Sequence, residues 1–146
     1  MSRHVATEGK VLQLIDYLAS KPSTTVQFHA SDMVLNIHSD ASYLSETKTR
    51  SRVASHFMLG SKPVSGEPIK MNGAVYIFCG ILKFVVASAA EYELGALFLN
   101  AKEGKIIYIA LYELGNKQPP TPMHCDNVKA TGIVNDTIKK QQSRSM

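Results

Sequence analysis

Apolar positions along the chain change their period twice. Between Val5 and Ala19, the residues Val11, Leu12, Leu14, Ile15 and Leu18 recur at helical spacing. The "SKPS" at Ser20–Ser23 stops that run, because proline cannot continue the hydrogen-bond ladder. Shorter, strand-like stretches follow. "TTVQFHA" (24–30) reads as a short strand, and Met33–Asp40 as a half-buried one carried by Val34, Leu35 and Ile37. "VASHFMLG" (53–60) and "GAVYIFCG" (73–80) read as two more, with "ILKFVVAS" (81–88) continuing the latter. The polar, basic "TKTRSR" (47–52) and the turn-rich "SKPVSGEP" (61–68) connect them.

From Ser88 the helical period returns, with Ala90, Leu94, Leu97, Phe98 and Ala101 on one face. Ser88 followed by Glu91 is a capping-box pattern, which sets the helix start. "KIIYIALYELG" (105–115) is a second helical stretch, with Gly104 kinking or dividing the helix and Gly115 as its C-cap. Past the stiff "QPPTP", "MHCD" (123–126) is a short strand ending in Asp126, and "NVKATGIVNDTI" (127–138) is helical. "KKQQSRSM" is a polar tail. Strands, then a helix, then a strand and a helix indicate an α+β or mixed α/β domain.

Composition narrows this only a little. A length of 146 residues fits one domain. The formal charge of +4 and pI near 9.1 suit an anionic partner without requiring one. Two cysteines, Cys79 and Cys125, argue against a disulfide framework and for a reducing compartment. "MSRHVATEGK" has no apolar run after its basic residues, so no secretory signal is expected. The longest apolar stretch is interrupted by Gly80 and Lys83, which argues against a membrane-spanning helix. The expectation is an intracellular protein, cytoplasmic or nuclear, with no membrane partner.

Three acids stand out by position. Asp40 and Asp126 each close an apolar strand, and parallel neighbouring strands would bring both carboxylates to one sheet edge. Glu93 falls at the border of the apolar face of its helix, where a side chain can look along the sheet. Asp, Glu and Asp at one edge would form a hard-oxygen site suited to Mg²⁺ or Mn²⁺. Two such ions roughly 3.5–4 Å apart can drive phosphodiester hydrolysis. The competing reading is structural: an Asp at a strand end commonly caps a turn or helix, and Asp126 before "NVKA" suits an N-cap. Zinc at His124 and Cys125 is disfavoured, since neighbouring strand residues point to opposite faces and no second Cys or His pair has finger spacing.

Three segments carry a resemblance: "HSDASYLSETKTRSR", "KFVVASAAEYELGALFLNAKE" and "LYELGNKQPPTPMHCDNVKATGIVND". In that order they resemble the ribonuclease H domain of copia-type retrotransposon polyproteins. The family pattern is "SDA(D/S)", then "S-x-x-E-x-E-x-x-A-L", then "x-x-CDN-x-x-A". Residues 1–31, with "VLQLIDYLASKPSTTVQFHA", look like the end of the linker from the reverse transcriptase, and 32–146 like the ribonuclease H-like domain itself. The resemblance implies an α/β fold, a mixed sheet flanked by helices. It also implies metal-dependent cutting of the RNA strand of an RNA/DNA hybrid, with Mg²⁺ or Mn²⁺ as cofactor and a reverse transcriptase or other polyprotein part as neighbour.

Within that resemblance the catalytic, metal-binding acids are Asp40, Glu93 (rather than Glu91) and Asp126, with Asn127 beside the last. Asp40 would bridge both metals, and the small residues after it, Ser42 among them, would leave room for a phosphate. The family's fourth acid, on a final helix, has no counterpart up to Met146, so the expectation is an impaired enzyme truncated before that helix. Basic residues are the candidates for phosphate contacts: Lys48, Arg50 and Arg52 after the first strand, and Lys139, Lys140 and Arg144 in the tail. A second reading stays open, an inactive remnant of the fold that binds nucleic acid or protein without chemistry.

Overall fold

The structure, a computed structural model, describes residues 3–46, 50–82 and 88–137. Its elements are α1 (Arg3–Ser20), β1 (Val34–Glu46), β2 (Arg50–Gly60), β3 (Ala74–Ile81), α2 (Ala89–Glu113), β4 (Met123–His124) and α3 (Val128–Val134). The four strands form one mixed sheet in the order β3-β2-β1-β4. β2 is antiparallel to both β1 and β3, whereas β4 runs parallel to β1. The protein is therefore a mixed α/β structure. Among the described residues no helix is long and apolar enough to cross a membrane.

Strand alternation assigns the two faces of the sheet. Leu35 and Ile37 of β1 and Phe57 of β2 turn toward α2 and meet Leu111, with Ile107, Tyr108 and Met123 packed around them. Nearer the start of α2, Val53 and Leu82 pack with Tyr92 and Ala96. Full burial of side chains this size stabilises by about 1.5–3 kcal/mol each, which makes the α2 face the anchor of the fold. The opposite face carries Asn36, His38 and Asp40 of β1 and Ala54, His56 and Met58 of β2 by the same alternation.

Two buried amides place the elements that carry the acids. Asn100 of α2 is fully buried and donates from Nδ2 to Ser39 Oγ (2.8 Å) and to the Ala54 carbonyl (3.2 Å), tying the helix across β1 and β2. Gln118 acts as a substitute strand on the β1 edge. Its Oε1 accepts from the Leu35 amide (2.9 Å) and its Nε2 donates to the Met33 carbonyl (3.0 Å). The Ile37 amide then donates to the Pro122 carbonyl at 3.0 Å, and β4 begins at the next residue. A two-residue strand is thereby held in register by groups that precede it.

Several sequence expectations change here. "TTVQFHA" forms no strand; the segment is tied instead by the Asn72 side chain, which accepts from the His29 amide (2.8 Å) and donates to the carbonyls of His29 (3.0 Å) and Leu59 (2.7 Å). α2 runs unbroken through Gly104. A Cβ at that position would collide with Ile37 Cδ1, so the glycine permits close approach of helix to sheet rather than a kink. Ser88 caps α2 as expected, accepting from the Glu91 amide at 3.2 Å, and Gly115 takes a positive φ (88°) just past its end. The last helix ends at Val134, not 138. On α1, Leu12, Leu14, Ile15 and Leu18 are each more than half exposed, so its apolar stripe makes no core.

Candidate metal centre

The parallel pairing of β1 and β4 decides where the acids stand. Ile37 pairs with Met123 and His38 with His124. Beyond those pairs Asp40 and Asp126 line one cleft. Asp40 does not end its strand, however. β1 continues to Glu46 because β2 extends far enough to pair Asp40 with Ala54, Ala41 with Val53 and Ser42 with Arg52. Asp40 is exposed, and its Oδ1 accepts from the Ala41 amide at 2.8 Å.

At the other strand the backbone leaves β geometry after His124 and bends at Asp126. The N-cap of α3 is Asn127, not Asp126: Asn127 Oδ1 accepts from the amides of Lys129 (3.1 Å) and Ala130 (3.0 Å). Capping therefore engages the Asn127 side-chain oxygen and leaves the Asp126 carboxylate to other work. Replacing Asn127 by Ala should cost about 1 kcal/mol, while Asn127→Asp keeps a capping oxygen and most of that stability. Thermal unfolding of the two variants checks this; equal losses would mean the cap contributes nothing.

His124 ends the strand and stays outside the group that Cys125 joins beyond it. Once the chain leaves the strand, alternation no longer separates Cys125 from Asp126. Ligand atoms of Glu93, Cys125 and Asp126 lie within 4.8 Å of one another. Glu93, in the second turn of α2, is only 8% exposed, and the Cys125 thiol donates to its Oε2 at 3.6 Å. Burial raises the Glu93 carboxyl above the ordinary glutamate range. The Cys125 hydrogen bond pulls it back, while the charges of Asp126 and Asp40 raise it further. Burial likewise raises the Cys125 thiol, opposed by a backbone hydrogen bond at Asn127. Among the described residues no cationic side chain is paired with Glu93. A buried carboxylate beside two others, with no cation to offset it, is a donor set that fits a divalent ion. Asp40 stands outside the 4.8 Å group and acts on Glu93 through its charge.

In front of this cluster, an open cleft of about 620 Å³ is lined by His38, Asp40, His56, Ile77, His124 and Asp126 among others. Three of these are histidines in a row across three strands, since His38 pairs with His56 on one side and His124 on the other. The His38 ring lies 4.7 Å from that of His124 and 6.5 Å from that of His56, centroid to centroid. Of these three, only His124 was weighed in the sequence analysis. The signal was present nonetheless: His38-Ser39-Asp40 and His124-Cys125-Asp126 repeat one His-x-Asp spacing, and parallel strands in register align the two copies.

His56 Nε2 sits 3.1 Å from the Asn72 carbonyl and His124 Nε2 3.4 Å from Asn36 Oδ1, whereas His38 Nε2 is buried with no partner among the described residues. Burial, then the neighbouring imidazole, lowers the pKa of His38 (through His56) and of His124 (through His38). The sign follows by linkage: the unfolded chain takes up these protons first, so stability falls as pH drops below the ordinary histidine pKa of about 6.5. Thermal midpoints should decline between about pH 7.5 and 5.5, and His38→Gln should flatten that decline. An unchanged slope in the variant would remove the histidine row as its cause.

Of the candidate phosphate contacts, Ser42 is exposed opposite half-buried Arg52, and alternation places both on the face of Asp40. Arg52 Nη1 also donates to Cys79 Sγ at 3.5 Å. Arg50 is exposed at the start of β2. Lys48, Lys139, Lys140 and Arg144 lie outside the described residues. Comparison of the chain with family models, curated proteins and solved structures gave no match in any of the three.

Proposed function

We propose that this chain is a ribonuclease H-like domain of the copia-type retrotransposon class, hydrolysing the RNA strand of an RNA/DNA hybrid with Mg²⁺ or Mn²⁺. The observation that carries the reading is that Asp40 and Asp126 line one cleft at the end of the parallel β1–β4 pair, with buried Glu93 close to Asp126. The motif order names Asp40, Glu93 and Asp126; the close grouping of Glu93 with Asp126, and the place of Asp40 on the same cleft, support that choice.

Glu93 and Asp126 would hold the ion on the side of the leaving 3′ oxygen, and Asp40 would bridge toward the attacking water. Divalent ions held there supply an activated water and offset charge on the leaving oxygen. Ser42 and Arg52, on the same sheet face as Asp40, would meet the backbone of the hybrid; Arg50, Lys48, Lys139, Lys140 and Arg144 would add phosphate contacts by their charge. The exposed apolar stripe of α1 suits contact with a neighbouring polyprotein part such as the reverse transcriptase.

One observation favours a second reading, an inactive fold that binds the hybrid without cutting it: Asp40 stands outside the group of ligand atoms formed by Glu93, Cys125 and Asp126. Incubation of the protein with end-labelled hybrid, RNA duplex and DNA duplex, with Mg²⁺ and separately Mn²⁺, separates the two. Cutting confined to the RNA strand of the hybrid is expected. Folded protein that binds the hybrid and leaves it whole would establish the second reading.

A further inference from the structure

Cys125 takes no part in the mechanism above, yet its sulfur belongs to the group of mutually adjacent ligand atoms at the acid cluster, and no Asp40 oxygen does. It is half-buried, and its thiol hydrogen points at Glu93 Oε2, 3.6 Å away. A second, independent observation calls for a cation at this place. Glu93 is more than nine-tenths buried, the thiol is the one hydrogen-bond donor to its carboxylate among the described residues, and no basic side chain is paired with it.

We propose that Cys125 is a ligand in this centre, joining Glu93 and Asp126, so that this position takes a borderline-soft divalent ion such as Zn²⁺ in preference to Mg²⁺. The inference rests on the reading of the cluster as a metal centre and adds a ligand and a selectivity to it. Magnesium holds to oxygen donors and octahedral geometry, whereas a thiolate beside two carboxylates suits zinc, or cobalt as its spectroscopic substitute. Binding would form the metal–sulfur bond and release the thiol proton to solvent, with no change in oxidation state. The backbone bend at Asp126 is what makes two consecutive residues able to serve one ion.

The test uses the whole chain, kept reduced with a phosphine, and titrates it with Co²⁺ and Zn²⁺. The wild type should develop a sulfur-to-cobalt charge-transfer band in the near ultraviolet. Cys125→Ser should lose the band, while Cys79→Ser, which alters the other, exposed thiol, should keep it. Zinc affinity should fall more than about tenfold in Cys125→Ser, exceeding the least that loss of an outer-shell partner costs, and magnesium affinity should hold. Cys125→Ala serves as the second variant, and unfolding curves establish that each is folded.

A band that persists in Cys125→Ser, or cobalt bound to wild type without one, overturns the proposal. So does a band that survives in Glu93→Gln with Asp126→Asn, since the thiol would then be binding outside the cluster. These results are distinguishable from failure of the nuclease reading. Hybrid cut with Mg²⁺ but no thiolate band sinks the Cys125 ligand alone, and a band without cutting leaves the ligand and sinks the nuclease.

Discussion

Asp126→Asn is expected to lower cleavage of an RNA/DNA hybrid by about a thousandfold, the scale of losing a group that offsets charge in a transition state. The change should cost the fold little. Asp126 is exposed, the cap of α3 is supplied by Asn127, and β4 is held in register by Gln118 and the Pro122 carbonyl. Asp40→Asn should produce a comparable loss for a different reason: among the described residues, it takes away the acid that reaches the cleft from β1. Hybrid affinity should hold or rise in both variants, because each removes a negative charge from a surface facing phosphates. Cleavage within about threefold of wild type in either variant, measured under single-turnover conditions, would mean that the carboxylate does not touch the chemistry.

The sheet was legible in the chain because β1, β2 and β3 each carry several consecutive apolar or β-branched residues between turn-forming segments. The site was legible in part for the same reason, since a short strand such as "MHCD" beside a strand such as "LNIHSD" can place two aspartates together only if the two run parallel, and they do. Other features depend on groups far apart in sequence. Gly104 looks like a helix breaker until Ile37, 67 positions away, is seen to fill the space over it. "TTVQFHA" has strand composition but no ladder partner, and an asparagine at position 72 ties it down instead. The end of β1 was misplaced because its length is set by β2, through the Ser42–Arg52 pair, and not by its own apolar residues. Cys125 was weighed only as a zinc partner of His124, and its place beside Glu93 and Asp126 depends on a backbone bend one residue later.

Glu93→Gln tests whether the site is maintained against the stability of the fold. In metal-free protein at neutral pH the wild-type carboxylate is buried beside the charges of Asp126 and Asp40 and, among the described residues, accepts one hydrogen bond, from a thiol. The isosteric amide removes the charge, so the variant should be more stable by about 1–3 kcal/mol, the usual cost of a poorly satisfied buried polar group. The sign with pH follows from the direction of the shift. Because the folded protein holds the Glu93 proton more tightly than the unfolded chain, wild-type stability falls as pH rises through the ordinary glutamate pKa of about 4.3, and the full deficit is reached once the folded group has ionised. The gap between variant and wild type should therefore be small near about pH 4 and widest at neutrality. An ion that binds the wild type should close it, adding about 2.7 kcal/mol when present at 100 times its dissociation constant, and should leave Glu93→Gln nearly unmoved. Two unfolding series, with and without divalent ion across this pH range, decide the matter. A variant less stable than wild type in the absence of metal would show that Glu93 serves the packing of α2 and not a cation.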